Sequence, residues 1–249
     1  MAAFLWSLAS LEWRGPLVHT GGPAALVTFL QALFPPDLNP DFLRLGLAAT
    51  WQTLAYAVAG ITLAVLLGFP LGIAAAGSAA GSPNSPIVGT SLVVAVRLVL
   101  AALRSVHELV WAVLFVAAFG LSSLTAILAL ALPYAGILGR IYGELFNQVP
   151  QEPLRALQTT GASPFRVFLY GRLPMALPEM IGYTFYRFEC AIRSAAIMSF
   201  VGIRGLGFEI QLSLNDLLFD QVWTLMLFLV VLIILVDLWS SRVRRSLVS

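Results

Sequence analysis

Arg187, Glu189 and Arg193 lie inside one apolar run, Ala176–Val201, and Arg104, His107 and Glu108 lie inside another, Ile87–Phe119. Ionised side chains are costly in hydrocarbon, about 2.5 to 3.5 kcal/mol each at a helix centre, so they turn toward partners or a water-filled path. On continuous helices Glu189 and Arg193 stand four residues apart, as do Arg104 and Glu108, so each pair can meet on one face. Arg187 has no such partner in its own run and is free to meet another helix or an anion. A guanidinium carries a planar fork of donors that can give two parallel hydrogen bonds to a tetrahedral oxyanion. Two chemistries are therefore open to these residues: weak recognition of a small anion along a path, or structural ion pairing between helices.

Composition removes other chemistries. The 249 residues are 59% hydrophobic and only 10% charged, with mean hydropathy +0.91. Soluble domains are about a quarter charged, so this is an integral membrane protein in contact with a lipid bilayer. All fourteen basic residues are arginine. Without lysine the chain cannot build a phosphate-binding loop that ends in Gly-Lys-Ser or Gly-Lys-Thr, so it does not bind ATP by that route. A lone cysteine, Cys190, excludes an internal disulfide and a thiolate cluster. His19 and His107 are too few and too far apart to suggest paired metal or haem ligation. No nucleophile converges with a base, and the net charge of +2 calls for no nucleic acid. The expectation is no catalytic residue, no metal and no cofactor in this chain.

A helix needs about 20 apolar residues to cross a bilayer, and the pattern offers five runs: Leu45–Ala76, Ile87–Phe119, Ser122–Phe146, Ala176–Val201 and Val222–Trp239. The second is longer than one crossing requires and is interrupted by charge, so its first half lies along a surface or is kinked. The breaker-rich GSAAGSPNSP separates it from the first. Residues 1–44 form a separate N-terminal segment, read as an interfacial helix with a short sixth span as the alternative. Residues 45–249 form the membrane domain. Arg140, Arg155, Arg166 and Arg172, together with Arg242, Arg244 and Arg245 in the tail, mark the cytoplasmic ends and place the C-terminus in the cytoplasm. Glu209, Asp216 and Asp220 fit the outer side.

Between the third and fourth runs, residues 148–175 are too many for a simple connection. Their chemistry reads as helix, elbow, helix. EPLRALQTT is stopped by Gly161 in a left-handed position, and Ser163 then caps a second helix with Pro164 at its first position. Such a shape suits docking to a partner, with an interfacial hairpin as the plainer reading.

LRALQTTGASPFRVFLYGRLPMALP resembles the cytoplasmic coupling loop, the EAA loop, of permease subunits of type I ABC importers. The match falls on Ala156, Gly161, Leu173 and Pro174, with Ala162, Ser163 and Pro164 forming the elbow. Arg155 stands where the family usually has glutamate, and Gly171 replaces an apolar residue. RSVHELVWAVLFVAAFG, GYTFYRFECAIRSAAIMSFVG and GLGFEI are similar to the phosphonate and phosphite branch of these permeases, with His107 at a common proline and Arg204 at a common glycine. The resemblance implies an all-α polytopic fold with five core helices, in the bacterial inner membrane. It also implies a second permease copy, ABC ATPase subunits that hold ATP and magnesium, an extracytoplasmic binding protein, and a small anionic substrate. Arg104, Glu108, Arg187, Glu189 and Arg193 become candidates for the substrate path. Gly202, Gly205 and Gly207 become candidates for a gate or a binding-protein contact, against the reading of a simple loop. Rival readings are an ABC permease for another solute such as an amino acid, and a channel or secondary transporter without an ATPase.

Overall fold

A computed structural model describes residues 1–10, 22–77 and 87–248. His19 and most of the GSAAGSPNSP breaker lie outside the described residues. The described residues are helical, and the elements follow the apolar runs. After α1 (Ala2–Ala9) and α2 (Gly22–Gln31) come the long α3 (Pro40–Ala75), the pair α4 (Ile87–Ser105) and α5 (Glu108–Phe119), and α6 (Ser123–Gln148). Next are α7 (Gln151–Thr159), α8 (Pro164–Val167), a π-turn at Phe168–Arg172, α9 (Leu173–Met198), α10 (Leu206–Asn215) and α11 (Phe219–Val248).

Local signals set several boundaries. Pro40 opens α3 at a position that needs no N–H, and the Asn39 side chain accepts from the Asp41 N–H. Ser122 does the same for α6 by accepting from the Thr125 N–H at 3.3 Å. At 36 residues, α3 is about 54 Å long, well beyond a hydrocarbon core of about 30 Å. It therefore tilts or projects from the bilayer.

α3, α6 and α11 are each long and apolar enough to cross a membrane, and the bent pairs α4/α5 and α8–α9/α10 bring the count to five if each is one span. Within the second run the chain turns by 87° between α4 and α5. No proline or glycine marks the place. The backbone is extended at His107, whose Nδ1 accepts from the Leu109 N–H at 3.2 Å and so restarts the helix.

The core is a parallel seam of α3 on α6, with glycine at the contact. A Cβ on Gly72 would stand 2.8 Å from the Tyr142 Cβ and 2.9 Å from the Gly139 carbonyl oxygen. Lipid tails are as apolar as leucine, so helix association in a bilayer depends on such close packing. Around this seam α5 and α9 pack on α6, while α10 and α11 close the far side of α3 and α9. α2 is tied to the start of α11, where the Trp223 indole donates to the Phe29 carbonyl at 2.7 Å and Phe29 packs on Phe219 and Trp223. Many large apolar side chains on α4 and α11 remain exposed, among them Leu98, Leu227, Ile234 and Leu238. In hydrocarbon that exposure carries no penalty.

Candidate functional site

Two regions carry the candidate residues: the elbow at one end of the molecule and a polar layer between the helices. At the elbow Gly161 has φ +81°, and its N–H donates to the Gln158 carbonyl at 3.0 Å while the Ala162 N–H reaches Leu157 at 3.4 Å. Side chains other than glycine or asparagine rarely take that conformation. Ser163 Oγ accepts from the Arg166 N–H at 3.4 Å, and Pro164 occupies the first turn. The turn expected from the sequence is thus formed, and α7 folds back with Leu154 buried beneath it.

Gly171 now has a reason. A Cβ there would stand 2.7 Å from a Leu154 methyl, so the apolar contact is supplied from α7 and not from position 171. Arg155, Ala156, Ser163 and Pro164 are exposed, Ala162 and Leu173 are half-buried, and Pro174 is exposed. Beside them Phe165 and Tyr170 are 70% and 71% exposed. Large rings left bare on a polar helical hairpin favour a covering partner. The sequence reading did not single these two out, although aromatic residues flanking an elbow are a readable signal.

The second helix does not stop at Leu173. It runs through the π-turn directly into α9, so the elbow and the fourth membrane helix form one continuous rod.

In the polar layer, two expected pairings and one expected lack of a partner are corrected. Arg104 and Glu108 do not meet at helical spacing, because the 87° break falls between them. Glu108 instead accepts from Ser194 Oγ at 2.6 Å, and Ser194 lies 3.2 Å from the Tyr134 hydroxyl. Glu189 turns away from Arg193 and pairs at 3.1 Å with Arg244 of α11. Side chains lean toward the N-terminus of their helix, which lets Arg244 reach back to it. Arg193 is exposed, and its Nη2 donates to the Cys190 sulfur at 3.8 Å. Arg187, expected to lack a partner in its own helix, donates through Nε and Nη2 to the Tyr183 hydroxyl at 2.9 and 2.6 Å. Its guanidinium also lies over the rings of Tyr183 and Tyr186, 5.2 and 5.6 Å from their centroids. Among the described residues no carboxylate forms an ion pair with Arg187, and its direction is fixed by the two tyrosines.

The glycine segment after α9 makes a tight return. Gly202 is left-handed at φ +97°. A Cβ on Gly207 would overlap the Ala196 carbonyl oxygen. The Leu206 N–H donates to Thr53 Oγ1 at 2.9 Å, which ties the turn after Gly205 to α3. These contacts give the segment a structural task whether or not it also gates.

The geometry is that of a membrane helix bundle with an exposed helical elbow on a continuous rod, and known proteins share it. Residues 68–248 match the family described as the inner membrane component of binding-protein-dependent transport systems. The phosphite transport system permease protein PtxC of Stutzerimonas stutzeri is 32% identical over 90% of this chain and 78% of its own length. The phosphite transport system permease HtxC of the same organism, itself a provisional assignment, is 30% identical over 98% of this chain and 82% of its own. The phosphate-import permease PhnE of Mycolicibacterium smegmatis is 32% identical over 93% of this chain and 42% of its own. Among solved structures, the inward-facing MetNI methionine ABC transporter superposes with a TM-score of 0.72 at 20% identity, covering 84% of this chain and 99% of the other. An amino acid ABC transporter gives 0.69 at 16% identity over 83% and 95%. The fold is therefore that of a type I ABC importer permease, and such a subunit works with ATPases and a substrate-binding protein. The chain belongs to the family of inner-membrane permease components of binding-protein-dependent transport systems.

Proposed function

We propose that this permease carries phosphite, phosphonates or related phosphorus oxyanions inward. The observation that carries the reading is the likeness, over nearly the whole chain, to permeases named for phosphite. The chemistry of the polar layer supports it. Arg187 is held in place by neutral partners, and Arg193 is exposed on a helix that crosses the bilayer, where an unpaired cation does not face lipid. An exposed guanidinium there fits a water-filled path between two copies, so the working permease is a homodimer. Binding along such a path is weak, because a tight site would trap its cargo. Selectivity then rests with the external binding protein.

In this scheme the elbow, with Arg155, Ala156, Gly161 and Pro164 exposed, seats in a cleft of the ATPase, which holds ATP and magnesium. The α7 end and the C-terminus face the cytoplasm. ATP binding draws the two elbows together and opens the path outward, and hydrolysis returns it. The chain itself performs no covalent step. Gly202, Gly205 and Gly207, at the opposite end, lie where a gate or a binding-protein contact would form.

The deciding experiment is uptake of a labelled alkylphosphonate by cells expressing the permease with its ATPase and binding protein, competed by phosphite, phosphate and methionine. Competition by phosphite or other phosphonates supports the cargo. Competition by methionine alone removes it and leaves the permease. Arg187→Ala is expected to lower uptake about tenfold, the order of one lost charge-assisted hydrogen-bonded contact, with assembly unchanged. Unchanged uptake would return Arg187 to a structural role.

A further inference from the structure

Arg104, which the break separates from Glu108, shares a cavity with two further guanidinium groups. Arg97 and Arg104 are seven residues apart on α4, two turns or about 10.5 Å along the axis, and so share one face. With Arg140 of α6 they line a cavity of about 310 Å³ that also includes Ala75, Glu144 and Asn147. Arg97 Nε donates to the Ala75 carbonyl at 3.0 Å, and Arg140 Nε donates to Glu144 Oε1 at 2.7 Å. Among the described residues each of these arginines donates only through its Nε, which leaves both terminal amino groups available to donate. Arg104 has neither an ion pair nor a hydrogen bond among the described residues.

The balance of charge in this cavity is unequal, with three cations against the single carboxylate of Glu144. All three arginines are exposed, Arg140 on a helix long and apolar enough to cross the bilayer, Arg97 and Arg104 on α4, which makes a span only together with α5. Arg140 is paired with Glu144, which leaves Arg97 and Arg104 without a carboxylate partner among the described residues; like charges so placed repel one another and are costly against hydrocarbon. Bulk water would relieve this in part. A doubly charged tetrahedral anion would relieve it fully, since its oxygens accept from several guanidinium forks at once. Asn147 adds a neutral donor at the rim. The site lies in the half of the membrane domain nearest α7, at the C-terminal end of α3.

We propose that Arg97, Arg104 and Arg140 form a binding site for a phosphate-type oxyanion. Its occupant is either a free phosphorus oxyanion or the phosphodiester headgroup of an acidic lipid. The first source rests on the cargo reading above, and the second does not.

The test uses the assembled permease–ATPase complex in nanodiscs. In pure phosphatidylcholine, binding of radiolabelled phosphite is compared between the parent, Arg97→Gln/Arg104→Gln and Arg104→Lys. Retention of added phosphatidylglycerol is read by native mass spectrometry on the same samples. Phosphite affinity is expected to fall at least about a hundredfold in the double variant, the scale of two charge-assisted hydrogen bonds lost. Arg104→Lys, which keeps the charge without the fork, guards against a folding defect and is expected to lie between. Arginine-dependent retention of phosphatidylglycerol without phosphite binding supports the site and identifies the headgroup as its occupant. Equal phosphite binding and equal lipid retention in parent and variants would overturn the proposal. Uptake measured separately keeps the two readings apart: normal phosphonate uptake with no arginine-dependent binding removes the site and spares the cargo, and the reverse result does the opposite.

Discussion

Gly161→Val is expected to leave a permease that inserts and folds but no longer couples, with substrate-stimulated ATPase activity and uptake each reduced at least about tenfold. Valine at φ +81° is strained by about 1 to 3 kcal/mol, and every 1.4 kcal/mol is a factor of ten in the population of the native elbow. Among the described residues, its chain neighbours aside, nothing lies within 4 Å of the position a Cβ would take. The effect is therefore conformational and not steric, which gives the experiment its control. Gly161→Asn, whose side chain tolerates the left-handed region, is expected to retain most of the activity. Co-purification of the ATPase and the rate of ATP hydrolysis check both variants. Normal transport by Gly161→Val would show that the elbow is not a docking element.

Gly72→Leu is expected to abolish recovery of folded protein. Its Cβ alone would press on the Tyr142 Cβ at 2.8 Å and on a backbone carbonyl at 2.9 Å. A backbone atom cannot rotate aside as a side chain can. Overpacking typically costs about 1 to 3 kcal/mol, and a leucine here adds three carbons beyond that first overlap. Because the native state of a domain is stable by only about 5 to 15 kcal/mol, separation of α3 from α6 would be decisive. Gly72→Ala should retain a fraction of folded protein with a lowered melting temperature. Detergent-solubilised size-exclusion profiles of the two variants give the ranking, and a monodisperse, thermally unchanged Gly72→Leu would refute the seam.

The parts of the fold that chemistry encodes locally were legible. The apolar runs gave the spans, Gly161 with Ser163 and Pro164 gave the elbow, and the charges in the second run foretold a bend there. What could not be read were choices made by distant parts of the chain. The pairing of Arg104 with Glu108 assumed an unbroken helix, but the break at Ser105–His107 bears no glycine or proline, and it is His107 that restarts the helix. Glu189 had Arg193 within reach and took Arg244, which lies on another helix that packing brings alongside. Arg187 found its partner because a tyrosine stood one turn back, a spacing present in the sequence. The α3–α6 seam was legible and went unread: GFPLG and GRIYG both hold glycines at i,i+4, the signature of close helix approach. α10, by contrast, emerged from a segment that reads as a loop, since its helix depends on packing against α11 and α3.

The π-turn at Phe168–Arg172 amounts to one surplus residue wound into the rod between the elbow and α9. Each residue of an α-helix advances the chain by about 100° around the axis. Rewinding that turn to ordinary α geometry would therefore swing the whole upper barrel of α9 by roughly a quarter of a revolution, with little displacement along its length. Such a swing would change the bearings of Arg187, Glu189 and Arg193 together, since all three lie beyond the turn on α9. The rod thus has, between the elbow and α9, one place where a local change of winding would become a rotation of everything beyond it.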